Sequence, residues 1–166
     1  MKRYRCVTAI LVALTISTGV AAGSKELEFS ATLSGAQSVP AATPGLITEA
    51  EIEAKFARDL SALEVELRIE GGDNVFGAHF HCARPGETGP VAFGLFSPGP
   101  LTFDGEKAEG TLTDAVFTAA DCVETIGRPV TNVAALALAM RDGLIYINIH
   151  TTDSPAGEVR GQMLED

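Results

Sequence analysis

The sequence predicts an all-β fold, an antiparallel Greek-key β-sandwich with one short helix. Three observations lead to this prediction. Apolar and polar residues alternate along several segments, turn signals rich in glycine and proline separate these segments, and only one segment has a convincing helical pattern. The chain of 166 residues is long enough for one domain with an adequate core.

Period-2 alternation marks the strands in chain order. Apolar residues take every second position of 27–33, which stops at Ser34-Gly35, and then of 52–56 and 63–69. The acidic residues between them, in 49–53 and 64–70, are expected to form solvated strand faces rather than cation sites. A turn at 71–74 precedes a strand carrying the first two histidines, and later strands are predicted at 91–96, 111–117 and 144–150.

The single predicted helix lies between the last two of these strands. Thr131 or Asn132 is suited to cap it, Val133, Leu136 and Met140 share one face, and Gly143 ends it. We expect this helix to serve as a crossover between strands.

The N-terminus has the pattern of a secretory signal. Lys2, Arg3 and Arg5 precede an apolar run over 7–20, and Val20-Ala21-Ala22 supplies small residues for cleavage. We therefore expect a signal peptide at 1–22, a single domain at 23–166, and a periplasmic or secreted protein that is not inserted in the membrane after cleavage. The formal net charge of −10 argues against nucleic-acid binding.

Two cysteines remain after this cleavage, Cys82 and Cys122. An even pair in an oxidising compartment predicts one disulfide, which would brace the loop next to His81. The alternative is that Cys82 serves as a thiolate metal ligand.

All three histidines of the chain fall in two predicted strands. His79 and His81 are two positions apart and share one face, and His150 lies on the polar face of its strand together with Tyr146 and Asn148. Phe76, Ala78 and Phe80 are expected to point to the opposite, core face. If the strands are close, three imidazoles meet on the outer face of the sheet.

Three imidazoles predict a metal site with an open coordination position. Tetragonal nitrogen ligation favours copper, and the same ligands accept zinc. Tyr146 and Asn148 are the expected supporting residues around His79, His81 and His150. The alternative is that the histidines are surface or hydrogen-bonding residues.

Five segments of this chain resemble the CHRD (chordin-type) domain family. They are FSATLSGAQSVP (29–40), GAHFH (77–81), PGETGPV (85–91), LIYINIHT (144–151) and PAGEVRGQ (155–162). The resemblance runs over about 27–164. It implies an exported module and no settled biochemical activity.

A weaker resemblance is to the copper site of copper/zinc superoxide dismutases. His79, His81 and His150 are similar to three copper-binding histidines in order and strand placement. The segment 156–160 is similar to a later segment with an active-site arginine, offset by one position, which implies a catalytic role for Arg160. No histidine is left for a bridge or a zinc site, so the resemblance implies a mononuclear copper site at most. The sandwich is accordingly expected to be superoxide-dismutase-like or immunoglobulin-like.

The sequence thus leads to two functional hypotheses. The first is an exported protein that holds one copper ion for copper binding or delivery, or for superoxide-type redox chemistry with a small anion. The second is a non-catalytic extracytoplasmic binding or matrix module, with structural histidines and a protein partner. For Arg160, a role as charge partner of Glu158 or Asp153 is the alternative to a catalytic one. Phosphate-binding loops and nucleophile-elbow motifs are absent from the sequence.

Overall fold

The computed structural model describes residues 26–42, 45, 47, 49–72 and 74–166. The predicted signal peptide at 1–22 lies outside the described residues. The strands are β1 (Leu27–Thr32), β2 (Glu49–Phe56), β3 (Ala62–Glu70), β4 (Val75–Cys82), β5 (Val91–Phe96), β6 (Lys107–Thr113), β7 (Ile145–Thr151), β8 (Val159–Gln162) and β9 (Leu164–Glu165). The helices are α1 (Val123–Ile126), α2 (Val133–Arg141) and one 3₁₀ turn at Gly35–Gln37.

The strands form two antiparallel sheets that enclose one apolar core. The order in the five-stranded sheet is β6-β3-β2-β1-β9, and the order in the four-stranded sheet is β5-β4-β7-β8. After β4 the chain passes through β5 and β6 and returns in β7 to pair with β4, which is a Greek-key connection. The predicted all-β sandwich is confirmed.

Alternation is clearest in β2, where every second side chain is buried from Ala50 to Phe56. The intervening residues Glu49, Glu51 and Glu53 are exposed, so the acidic runs form a solvated face as expected. Ion pairs cross this face, for example from Lys55 to Glu26 at 2.8 Å. Such exposed pairs contribute little to stability.

The predicted helix is confirmed as α2, and the structure shows which of the two predicted residues caps its start. The cap is Asn132, whose Oδ1 accepts a hydrogen bond from the Ala135 N–H at 2.7 Å. The helix ends before Gly143, which has a φ of 70°. It connects β6 of one sheet to β7 of the other.

Near α2 one predicted strand is displaced, and one short helix was not predicted. The strand predicted at 111–117 is β6, which begins at Lys107 and ends at Thr113. Residues 114–116 turn instead, and the Asp114 carboxylate accepts from the Val133 N–H at the start of α2. The sequence also gave no sign of α1, because four residues are too few to show a helical period.

Candidate metal centre

The site lies on β4 and β7, the two central strands of the four-stranded sheet. Their antiparallel register places His79 opposite Asn148, His81 opposite Tyr146, and His150 opposite Gly77. Side chains at alternate positions share a face, so these strands bring the three histidines together on the outer face. The sequence predicted this grouping without knowing the register.

This outer face is covered rather than open to solvent. His79 is 8 % exposed and His81 is 9 % exposed, whereas His150 is half-buried. A side chain at Gly77 would lie 3.0 Å from the Ser97 carbonyl oxygen and 3.4 Å from the His79 ring. The glycine therefore lets the connection after β5 fold over the histidines.

One predicted orientation is wrong. Phe76 was expected to point into the core with Ala78 and Phe80, but its side chain is 41 % exposed. The pairing of β4 with β7 is irregular between Val75 and Gly77, and such bulges redirect a side chain. The Phe76 ring lies 6.0 Å from the His150 ring, centroid to centroid.

The three imidazoles converge on a small space. His79 Nδ1 lies 3.0 Å from His150 Nε2, and one ligand atom from each of the three rings lies within 4.8 Å of the others. A metal about 2.0–2.1 Å from each nitrogen would hold its ligands about 2.9 Å apart at right angles and about 4.1 Å apart in trans positions. The cluster is thus slightly wider than a loaded site, and small side-chain shifts would close it.

Backbone carbonyls fix the orientation of two rings. His81 Nδ1 donates to the Gly89 carbonyl at 2.9 Å, and His150 Nδ1 donates to the Pro155 carbonyl at 2.9 Å. A carbonyl can only accept, so the hydrogen-bond network assigns the proton of each neutral ring to Nδ1. The lone pair of both rings is therefore on Nε2. Metal-binding histidines are generally held by a bond of this kind.

His79 coordinates through the other nitrogen if a metal binds. With His150 Nε2 as an acceptor, the 3.0 Å contact is a hydrogen bond donated by His79 Nδ1. Metal binding at Nδ1 requires that proton to move to Nε2, and the Ser97 carbonyl is the backbone acceptor near this ring.

One unpartnered polar atom of the cluster, His81 Nε2, is consistent with a metal ligand. His79 Nε2, His81 Nε2 and Asn148 Oδ1 are buried, and none has a hydrogen-bond partner among the described residues. Burying a polar atom without a partner costs about 1–3 kcal/mol, so each such atom needs an explanation. A bound metal ion would give His81 Nε2 the partner that it lacks.

Burial also keeps the rings in the form that binds metal. Burial, and secondly the neighbouring His150 and His81 rings, lowers the pKa of His79 to about 4. Burial likewise lowers the pKa of His81, while its bond to Gly89 acts in the opposite direction. Both rings are therefore neutral at pH 7, with lone pairs available.

Tyr146 and Asn148 lie beside the cluster, as predicted. The Tyr146 ring stacks on His81 with centroids 4.9 Å apart and an interplanar angle of 13°. Asn148 is 6 % exposed and is the cross-strand neighbour of His79. Their support of a metal stays a prediction.

Arg160 is buried but does not pair with Glu158 or Asp153. Its guanidinium lies 3.6 Å above the Tyr146 ring centroid and donates to the carbonyls of Glu87 at 2.6 Å and Arg84 at 3.1 Å. The Glu158 carboxylate instead accepts from the Ile47 N–H and the Thr151 hydroxyl, each at 2.7 Å. The arrangement gives Arg160 a structural role in the loop between β4 and β5, and its catalytic role stays a prediction.

The disulfide joins Cys82 to Cys122, as predicted from the even cysteine pair. Cys82 is the last residue of β4 and follows His81 directly, and Cys122 immediately precedes α1. Both sulfurs are in the bond, so Cys82 does not supply a thiolate to the site.

The CHRD domain family model matches residues 29–163, a range that includes the three histidines and the two disulfide-bonded cysteines. The chain belongs to the CHRD domain family. No curated protein and no solved structure matches it. Membership of the CHRD family and the disulfide together indicate an extracytoplasmic protein. None of the helices in the described residues is long and apolar enough to cross a membrane.

Several features of the site have no signal in the sequence. The carbonyls of Gly89 and Pro155 act through the backbone, which side-chain patterns do not reveal. The bulge that turns Phe76 outward depends on the pairing of two distant segments. The one signal that could have been used is Gly77, because a glycine inside a strand often marks a bulge or a close backbone approach.

Proposed function

We propose that this chain is an extracytoplasmic CHRD module that holds one copper ion through His79 Nδ1, His81 Nε2 and His150 Nε2. The observation that carries the proposal is the convergence of three imidazoles, two of them oriented by backbone carbonyls that accept from Nδ1 and leave Nε2 for a metal. Copper would supply a one-electron redox couple and an open coordination position. Binding or delivery of copper outside the cytoplasm is the function this site supports best.

Copper is preferred to zinc because of the donor set. Three imidazole nitrogens suit both metals, but divalent copper binds nitrogen ligands more tightly than zinc does. The described residues hold no second cluster of histidine, cysteine or carboxylate ligands of this kind. A mononuclear site is therefore proposed, and a loaded site with its open position would also suit superoxide-type chemistry with a small anion.

The alternative function is a non-catalytic binding or matrix module with structural histidines. The hydrogen bond between His79 and His150 and the two bonds to carbonyls favour it, since they also stabilise the fold without a metal. The two hypotheses differ in what a histidine substitution does. A metal role predicts lost binding with the fold intact, and a structural role predicts lost stability with no metal effect.

The test is copper stoichiometry and electron paramagnetic resonance of the exported, disulfide-intact protein. We expect about one equivalent of copper(II) with nitrogen hyperfine structure, and its loss in His81→Ala. Asp153→Asn is the matched control, because this exposed carboxylate lies near the site in sequence and has no part in the cluster. Absence of bound copper after challenge with copper and zinc, or equal binding by wild type and His81→Ala, would overturn the proposal.

A further inference from the structure

Two buried acceptor atoms lie side by side in the histidine cluster, one on His81 and one on Asn148. His81 Nε2 carries a lone pair, because Nδ1 of the same ring donates to the Gly89 carbonyl. The Asn148 side chain lies within hydrogen-bonding reach of the His81 ring. Neither His81 Nε2 nor Asn148 Oδ1 has a hydrogen-bond partner among the described residues. Two acceptors cannot bond to each other, so the pair needs a positive group between them.

The Asn148 amide is oriented with its oxygen towards His81. Its Nδ2 is the end that faces Gly157, since a side chain on that glycine would lie 2.8 Å from Nδ2. A flipped amide would turn Oδ1 towards Gly157, but the Gly157 N–H already donates to the Ser154 carbonyl at 3.0 Å. The flip would therefore leave Oδ1 without that donor, and the orientation with the oxygen at His81 is the one that suits a cation.

The strand register places Asn148 among all three histidines. It lies opposite His79, diagonally across from His81, and two residues before His150 on the same face of β7. Its side chain is 6 % exposed, so Oδ1 is held in the covered part of the site. Side chains at these positions are close enough to contribute to one coordination sphere.

An amide oxygen changes the metal preference of a three-histidine site. Tetragonal sites of mixed nitrogen and oxygen ligands favour copper(II), whereas soft sulfur ligands select copper(I). An oxygen added to three imidazoles therefore stabilises copper(II) more than copper(I). In the metal-free protein the same oxygen destabilises the fold, because a buried acceptor without a partner has lost its water.

We infer that Asn148 Oδ1 is the fourth protein ligand of the copper site and that it gives the site its preference for copper(II) over copper(I). The inference rests on the proposed function, since it concerns the same ion. It adds an oxygen ligand to the three imidazoles and assigns the valence that the site retains. Binding of the ion gives both His81 Nε2 and Asn148 Oδ1 the partner that each lacks.

The experiment measures the affinities of the disulfide-intact protein for copper(II) and for copper(I), each by competition with a chelator. Asn148→Leu removes the oxygen and keeps a side chain of similar size. It should weaken copper(II) binding about tenfold or more and leave copper(I) binding nearly unchanged. A tenfold difference of this kind raises the copper reduction potential by about 59 mV. Asn148→Asp keeps an oxygen at the same place and should bind copper(II) at least as tightly as wild type.

Two controls separate a ligand from a structural residue. Asn74→Leu makes the same chemical change at an exposed position, where the amide contacts Asp153, and should alter neither affinity. Urea unfolding of metal-free Asn148→Leu should give a midpoint equal to or above that of wild type, because the variant removes a buried oxygen without a partner. A residue that serves only the fold would lower this midpoint.

Three outcomes would overturn the inference while the copper proposal stands. They are unchanged copper(II) affinity in Asn148→Leu, an equal loss of affinity for both valences, and weaker copper(II) binding by Asn148→Asp than by Asn148→Leu. The first would mean that a water molecule bonds to Asn148 Oδ1. Failure of the wild-type protein to bind copper in either valence would instead overturn the proposed function, and this inference with it.

Discussion

Replacement of Arg160 by methionine tests how the loop over the histidine cluster is held. The guanidinium makes two hydrogen bonds to carbonyls, of Glu87 at 2.6 Å and Arg84 at 3.1 Å, and a cation–π contact at 3.6 Å with Tyr146. A hydrogen bond from a charged group contributes about 1.5–3 kcal/mol, and a desolvated cation–π contact contributes about 2 kcal/mol. Relief of the desolvation cost of a buried cation offsets part of the sum. We expect Arg160→Met to lower the free energy of unfolding by about 3 kcal/mol.

The assay is urea unfolding of the metal-free, disulfide-intact protein at pH 7 and 25 °C. The midpoint should fall without a large change in the slope, because the surface exposed on unfolding is nearly the same. Arg84→Ala is the matched control, since that side chain is exposed while its carbonyl still accepts from Arg160, and it should change stability by about 0.5 kcal/mol at most. A loss below about 1 kcal/mol for Arg160→Met would show that the buried guanidinium is not what holds this loop.

Three further predictions concern the disulfide, the histidine cluster and the segment before β2. Cys82→Ser with Cys122→Ser should lower the free energy of unfolding by about 4 kcal/mol, since the bond closes a loop with a separation of 40 residues. Thermal unfolding that is equal with and without reductant would contradict this. Because the pKa of His79 is about 4 in the folded protein and 6.5 ordinarily, the unfolded state binds more protons between these values. The free energy of unfolding of the metal-free protein should therefore fall as the pH falls from about 6.5 to about 4, and His79 should add no pH dependence above that range. If His79→Asn leaves this pH dependence unchanged, His79 is not its cause. Glu158→Ala should raise the hydrogen-exchange rate of the Ile47 amide, which donates to this buried carboxylate, and protection equal to wild type would contradict it.

The sequence predicted the fold and the histidine grouping because both depend on period-2 alternation. Burial on one strand face produces a regular pattern in β2 and β3, and the same rule places His79 and His81 together. The strand at 111–117 was misplaced because a cap contact from Asp114 to α2 overrides local propensity. Long-range contacts of this kind leave no local pattern.

The sequence predicted which residues form the histidine cluster but not how deeply they are buried. The histidines were expected on the outer face of the sheet, yet His79 and His81 are buried there. Two loops cover these histidines. The position of a loop depends on backbone contacts, which leave no alternating pattern in the sequence. The charge partners proposed for Arg160 failed for the same reason, since its acceptors are carbonyls of a loop that is distant in sequence.

The loop at 83–90 links the candidate metal centre to the rest of the fold. The disulfide holds it at Cys82, Gln162 Nε2 donates to the Ala83 carbonyl at 3.2 Å, and Arg160 holds its middle. Its Gly89 carbonyl in turn fixes the His81 ring. Because these contacts exist in the metal-free protein, the conformational entropy of the loop and the ring is lost during folding and would not be lost again if a metal bound. If the proposed copper site is loaded, the disulfide and Arg160 would therefore act on its affinity through the position of His81, although neither would touch the ion.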